Sequence, residues 1–517
     1  MSLLKTISTI GGLTLISRIM GFARDILMAA FLGAGLVADC FFVAFKLPNF
    51  FRRLFAEGAF SSAFVPIFVQ NLRSEGGNEL QAKGFAEEAL AVLLPTLILV
   101  VAVFQIFMPW IMPALAPGFT DDAEKFNLAV DFTRNTFPYL LLISLVSLLS
   151  GVLNGLKRFA AAAAAPIFLN MTLITSLLLY NGSEVEAGRA LSIAVSVAGV
   201  VQFLWLVVAV KRAGMGLAIR MPKLTPRVRE LGRVMLPVAL GAGAMQISLV
   251  LDVILASLLD DGALSYLFYA DRLNQLPLGV IGVAVGTALL PTLSGLLAEN
   301  TPEKAAYQQN RAMEAAMFLT VPAAFALMAI PDVLIGVMFE RGNFTATDTG
   351  QTALALVAYA AGLPAYVLIK VLAPGFFARK DTKTPVRIGM IALLVNLVLN
   401  IILMQFLGHV GLALATAIAA WMNCSLLYIT LRKNGYFQLD ARMKSRGVRM
   451  VLAALIMAVV VSYLSHILAT PLAGSLSHKI WSLLAVVVAG KVSYAILCHI
   501  TGAMTLSEIK NFKRAKS

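Results

Sequence analysis

Arg18, Arg24, Asp25, Asp39, Lys46, Arg52, Arg53 and Glu57 fall within the first seventy residues, inside or beside apolar runs such as 26–32 and 41–45. An ionisable side chain at bilayer depth costs a few kcal/mol or more, so it normally faces a bundle interior or a watery cavity and marks a pathway. Arginine offers five donors in a rigid fork that fits a phosphate two oxygens at a time, and it keeps its charge when partly desolvated. Arg18 and Arg24, with Arg272 from a later apolar run, therefore form a candidate phosphate clamp. The competing reading is local neutralisation, Arg18 by Asp25, Arg24 by Asp39 and Arg272 by Asp271. Three such arginines against few nearby acids favour the clamp.

Arg52, Arg53 and Glu57 lie beyond Pro48, which removes a helix hydrogen bond and can kink its span. They read equally well as a gate or cytoplasmic entrance and as side chains snorkelling to headgroups. In the later half, Asp252 is a lone carboxylate in an apolar run, Asn396 and Asn400 share a helical face, and Thr416 follows one span on. Carboxylate, amide and hydroxyl oxygens suit a hard monovalent cation or a proton relay, whereas Asn and Thr also bond across helices as packing glue.

Several chemistries are excluded. Gly490-Lys491 is followed by Val492 and lacks the upstream glycine of a phosphate-binding loop. His409, His466, His478 and His499 are scattered without partners at ligand spacing. Cys40, Cys424 and Cys498 are isolated in apolar runs, which indicates neither a disulfide framework nor a metal site. No nucleophile-elbow serine is present, and catalytic residues are accordingly not expected.

The elements that must position these residues are membrane helices. The chain has 517 residues, of which 59% are hydrophobic and 13% charged, far too apolar for a soluble protein of this size. With about 20 residues per crossing, fourteen spans are expected, the second centred near Arg52 and the last two near Met457 and Val488. The net charge of +14 is spread over short clusters between spans, which argues for topology and against a nucleic-acid surface. Loops placed with the termini carry most of the basic residues, and the opposite loops are acidic at Asp121, Asp122, Glu124, Glu184, Glu186, Asp260 and Asp261. By the positive-inside rule both termini are cytoplasmic.

Two halves resemble each other: residues 44–49 align with 270–275, 63–66 with 288–291, and 154–159 with 374–379. Six-span repeats with a site between them are a transporter architecture. The expected division is an N-terminal lobe over 1–214, a basic linker over 215–233, a C-terminal lobe over 234–433, a second basic linker over 434–449, and two added spans with a basic tail over 450–517.

Gly21-Phe22-Ala23-Arg24-Asp25, the run Phe45-Lys46-Leu47-Pro48-Asn49 through Arg52-Arg53-Leu54-Phe55-Ala56-Glu57-Gly58-Ala59-Phe60, Tyr269-Ala270-Asp271-Arg272, and Ala373-Pro374-Gly375-Phe376 through Lys383-Thr384-Pro385 resemble the signatures of the MurJ (MviN) family of lipid II flippases, over nearly the whole chain. The resemblance implies an all-α polytopic fold of the multidrug/oligosaccharidyl-lipid/polysaccharide exporter superfamily, two six-helix lobes plus two C-terminal helices. It implies a bacterial inner-membrane transporter, not an enzyme, that carries undecaprenyl-pyrophosphate-linked peptidoglycan precursor to the periplasmic leaflet. It assigns Arg18, Arg24 and Arg272 to the cavity, with Asp39, Arg52, Arg53, Glu57 and Ser265 in functionally sensitive motifs, and a lipid-tail groove to the last two helices. Some members bind sodium, which Asp252, Asn396, Asn400 and Thr416 would suit. Lipid II and membrane lipids are the expected partners of a single functional chain, with no nucleic acid and no cofactor beyond such an ion. Rival readings are a cation-coupled multidrug or other polyprenyl-linked saccharide exporter, which would need an acidic cavity for cationic drugs, and a membrane transferase on the same carrier, which would need a base such as Asp25 or Asp39.

Overall fold

The computed structural model describes residues 3–53, 60–73, 78–180 and 182–504. Helix is the regular structure throughout, and no strand occurs among the described residues. This follows from the solvent: a backbone in hydrocarbon must satisfy its own hydrogen bonds, which a helix does internally. Nine helical stretches of the described residues are long and apolar enough to cross a membrane. By contacts the chain divides into two compact units, Met1–Ser265 with Arg341–Phe344, and Tyr266–Glu340 with Thr345–Ser517.

The first unit contains α1 (Leu3–Leu32), α2 (Leu36–Phe51), α3 (Ser61–Arg73), α4 (Glu79–Leu115), α5 (Ala123–Thr136), α6 (Tyr139–Gly155), α7 (Phe159–Leu178), α8 (Glu184–Arg212) and α9 (Pro226–Ser257). Their starts are written in the sequence. Asn78 caps α4 through Gln81 N, Asp122 caps α5, Ser183 and Glu186 form a reciprocal capping box on α8, and Thr225 caps α9 ahead of Pro226. The expected span centre near Arg52 falls where the helix type changes: α2 is α-helical to Phe51, and Arg52 and Arg53 continue it as a wider π-type turn. The amide of Arg52 reaches back to the carbonyls of both Asn49 and Pro48.

Aromatic rings fill this unit. Phe60, Phe64, Phe68 and Phe85 stack at centroid separations of 5.1–5.6 Å. Gly151 and Gly155 of α6 make room for them: a Cβ on Gly155 would stand 2.5 Å from the Phe68 ring. The turn at 341–344 belongs here because Asn343 N donates to Ala30 O at 2.9 Å and its side chain donates to Phe31 O at 2.7 Å.

The second unit takes α10 (Ala263–Ala298) from Tyr266 onward, then α11 (Pro302–Ala329), α12 (Pro331–Phe339), α13 (Ala346–Phe377), α14 (Lys383–Lys433), α15 (Ala441–Ile467), α16 (Ala469–Ala473) and α17 (Leu476–Ile500). The expected eleventh and twelfth spans are the two arms of α14, separated at Gly408, whose φ of 54° and ψ of −134° break the helix. α13 packs on α14 and α11, and α15 packs on α11 and α17. α15 and α17 cover the expected centres at Met457 and Val488.

Candidate functional site

Arg24 is buried and held by hydrogen bonds to two neighbours. α1 carries it to a buried position, 6% exposed, where its Nη2 and Nε both donate to Asp25 Oδ1, at 2.6 and 3.0 Å. Its Nη1 donates to Asn170 Oδ1 at 3.0 Å, and Asn170 Nδ2 donates onward to Ser17 O at 2.9 Å. Gly21 allows the approach, since its Cβ position lies 3.5 Å from the Asn170 amide. The Phe45 ring faces the guanidinium at 5.7 Å. A cation at this depth survives because it is paired and hydrogen-bonded. Asn170 escaped the sequence reading; a lone amide in the alanine-rich, apolar α7 was its only signal.

The local pairing considered above is present with different partners. Asp25 neutralises Arg24, and Arg18, one and two-thirds turns earlier, is exposed and joins no ion pair among the described residues. Asp39, 1% exposed, instead organises the turn into α10. Its carboxylate accepts Gly262 N at 2.8 Å, Ser265 N at 2.9 Å and Ser265 Oγ at 2.6 Å. Asp39 and Ser265, named separately from sequence, thus meet directly. Lys125 lies in the same region of the unit, pairing with Asp261 at 2.5 Å and sitting 4.2 Å from the Phe119 ring centre; its sequence signal is a lysine in an otherwise acidic loop.

Arg52 Nε donates to Asn49 Oδ1 at 3.0 Å, while Arg53 is exposed; Glu57 lies outside the described residues. In the second unit Arg272 is half-buried on α10 with its guanidinium 4.6 Å from the Phe268 ring centre. Asp271 accepts a hydrogen bond from Gln275 one turn later.

Of the candidate cation ligands, three meet in the second unit. Asn400 Nδ2 donates to Asn396 Oδ1 at 3.3 Å, Asn396 Nδ2 donates to Thr416 Oγ1 at 3.4 Å, and Thr416 Oγ1 donates to Leu412 O at 3.0 Å. These are hard oxygen donors of the type sodium takes, already linked to one another. Asp252 is half-buried on α9 of the first unit. No group of three or more His, Cys, Asp or Glu with metal-binding geometry occurs among the described residues.

Two buried carboxylates, Glu314 and Glu87, lie outside these motifs and carried no signal in the sequence reading. Glu314 on α11, 2% exposed, receives Arg442 Nε and Nη2 at 3.2 Å each, together with Arg311 and Arg446. Arg311 also reaches Asp440. In the first unit Glu87, 1% exposed, pairs with Arg220 at 2.5 Å and accepts Ala218 N at 2.9 Å, while Glu88 takes Arg227 and Thr225, each at 2.7 Å. Part of the basic stretch 215–233 and part of 434–449 are thereby each fastened to a helix of the same unit.

The family described as "Lipid II flippase MurJ" matches residues 28–481. A protein of Rhizobium tropici named "Probable lipid II flippase MurJ" is 44% identical over 524 residues, covering 100% of this chain and 98% of that one. A solved lipid II flippase MurJ in an inward closed conformation superposes with a TM-score of 0.79 at 27% identity, over 95% of this chain and 98% of its own. An inward-facing multidrug resistance MATE family transporter of the MOP superfamily shares the fold, with a TM-score of 0.65 at 16% identity over 81% of this chain and 94% of its own. The likeness is full length, and it includes the segments that hold Arg24, Asp39, Ser265 and Arg272. The chain is a multi-pass membrane protein that belongs to the lipid II flippase MurJ family.

Proposed function

We infer that this protein is a transporter that moves lipid II, the undecaprenyl-pyrophosphate-linked peptidoglycan precursor, across the bacterial inner membrane from the cytoplasmic to the periplasmic leaflet. The observation that carries the reading is full-length similarity to proteins named lipid II flippases, at up to 44% identity. An arginine held deep in an apolar bundle is chemically consistent with it, because a pyrophosphate headgroup cannot enter hydrocarbon unless fixed cations replace its hydration.

In this reading the cycle is alternating access between two six-helix lobes, 1–214 and 234–433, within fourteen spans whose termini are both cytoplasmic. Arg18, Arg24 and Arg272 supply positive charge to the pyrophosphate. Asp25 and Asn170 hold the Arg24 fork in one orientation, so little of its freedom is lost on binding. Asp39 and Ser265 fix the start of α10, and Arg52, Arg53 and Glu57 serve the cytoplasmic entrance. The prenyl chain stays in lipid beside the two C-terminal helices. Asn396, Asn400 and Thr416 with Asp252 are proposed to take a sodium ion, which would supply a coupling charge. The chain acts alone, without nucleic acid.

The test is depletion in cells, with a probe for periplasm-exposed lipid II, rescued by wild-type or variant chains. Wild type should restore exposure. Arg18→Ala, Arg24→Ala and Arg272→Ala should each reach the membrane and fail to restore it. Normal exposure after depletion removes the flippase reading; full rescue by all three variants removes the arginine assignment alone.

A further inference from the structure

The second unit contains a groove of about 480 Å³ between α11, α13, α14 and α15. Met313, Leu372, Tyr428, Gly447 and Leu452 are among its walls, and every lining side chain is apolar except Lys444, Ser425 and the Tyr428 hydroxyl. No residue of α17 lines it, so it is distinct from the face that α15 shares with α17.

Its dimensions and charge identify an occupant. From Lys444 to Leu452 is eight residues of α15, or about 12 Å at the helical rise. One leaflet of hydrocarbon is about 15 Å deep, half the bilayer core, so the groove accommodates an acyl chain of a single leaflet and is far shorter than a long polyprenyl chain. Lys444 lines the groove, exposed and paired with no carboxylate among the described residues. The surrounding stretch 432–449 holds Arg432, Lys433, Arg442, Lys444, Arg446 and Arg449 against the single acid Asp440. Arg442 and Arg446 are drawn to Glu314 and Asp440 is tied to Arg311; of the six basic residues Lys444 is the one that lines the groove.

We propose that this groove is a binding site for an anionic glycerophospholipid of the leaflet that the basic helix ends face, one acyl chain lying between α13, α14 and α15 and the phosphate on Lys444. Such a lipid fastens α15 to the body of its unit independently of the transported substrate.

Gly447 supplies a clean probe. A Cβ there would meet only the Met443 methyl at 3.9 Å, so Gly447→Leu fills the groove without a backbone clash and raises helix propensity. Purified full-length chain is exposed to phosphatidylglycerol or phosphatidylcholine with identical acyl chains, and retained lipid is counted by native mass spectrometry. Wild type should retain phosphatidylglycerol in preference by about fivefold, the ratio expected for one lysine near an anionic lipid at about 1 kcal/mol. Lys444→Gln should bring the two lipids to parity. Gly447→Leu should lose both while its thermal unfolding midpoint is unchanged or higher. Equal retention of the two lipids by wild type, or unaltered phosphatidylglycerol retention by both variants, overturns the proposal. So does displacement of phosphatidylglycerol by a long-chain polyprenyl phosphate whose own retention Gly447→Leu blocks, because the groove would then belong to the substrate tail.

Discussion

At the scale of single residues, the arrangement around Arg24 shows how an arginine is kept charged and aimed in an apolar bundle. Asp25 supplies the countercharge and Asn170 takes the remaining arm of the fork, at 2.6 and 3.0 Å. Asn170 bridges α7 to Arg24 and to the Ser17 carbonyl on α1, so it sets the register of the two helices as well as the guanidinium orientation. Asn170→Ala leaves both groups short of a partner, and is expected to destabilise the protein by about 1–3 kcal/mol. The lowered midpoint should appear in thermal unfolding of the purified chain, and Asn170→Asp, which keeps the acceptor, should recover part of it. A variant with an unchanged midpoint would mean that Arg24 orientation does not depend on α7.

At the scale of elements, the terminal helix pair is held to α11 by charge as well as by apolar packing. Glu314 gathers Arg311, Arg442 and Arg446, of which Arg311 and Arg446 are themselves largely buried. Removing the acid takes away the carboxylate that these guanidiniums share, and breaking a buried pair costs about 3–5 kcal/mol. Glu314→Gln is therefore expected to loosen α15 locally, read as faster amide exchange over its first turns with exchange in α6 unchanged. At the start of α14, Asp381 accepts Thr384 N at 3.0 Å, and hydrogen bonds from the Thr384 side chain and amide hold its carboxyl below the ordinary carboxylate range. A depressed carboxyl stabilises the fold above its unfolded value, about pH 4, and that stabilisation disappears as pH falls through the folded value. The midpoint difference between wild type and Asp381→Asn should accordingly be present at pH 7 and vanish in strong acid.

At the scale of the molecule, the family assignment turns an apolar chain with buried cations into a machine for moving an anion. Each negative charge carried through the full potential gains about 2.3 kcal/mol per 100 mV when the cytoplasm is negative. Collapsing the potential in cells should therefore slow the appearance of periplasm-exposed lipid II while leaving the amount of protein in the membrane unchanged. An unaltered rate would assign the driving force to another gradient, for which the linked oxygens of Asn396, Asn400 and Thr416 are the first place to look.

Hydrophobic runs, proline and cap residues determined the all-helical membrane fold, the helix starts at Asn78, Asp122, Ser183, Thr225 and Asp440, and the helix pair at the C-terminal end. Those signals are local, set by hydropathy over one crossing and by side chains within one turn of a helix end. Even so, α2 changes from α-helical to a wider π-type turn at Arg52 and Arg53, a change that a run of apolar residues does not report. The sequence also identified Arg24, Asp25, Asp39 and Ser265 as residues out of place in hydrocarbon. It could not say that Asp25 serves Arg24 and that Asp39 serves the Gly262 and Ser265 amides, and it passed over Asn170 and Glu314 altogether. Partners for buried charge come from whichever helix the fold lays alongside, here 146 residues away for Asn170 and 128 for Arg442. That choice belongs to tertiary packing, since burial makes an unpaired polar group costly but does not specify which neighbour will satisfy it.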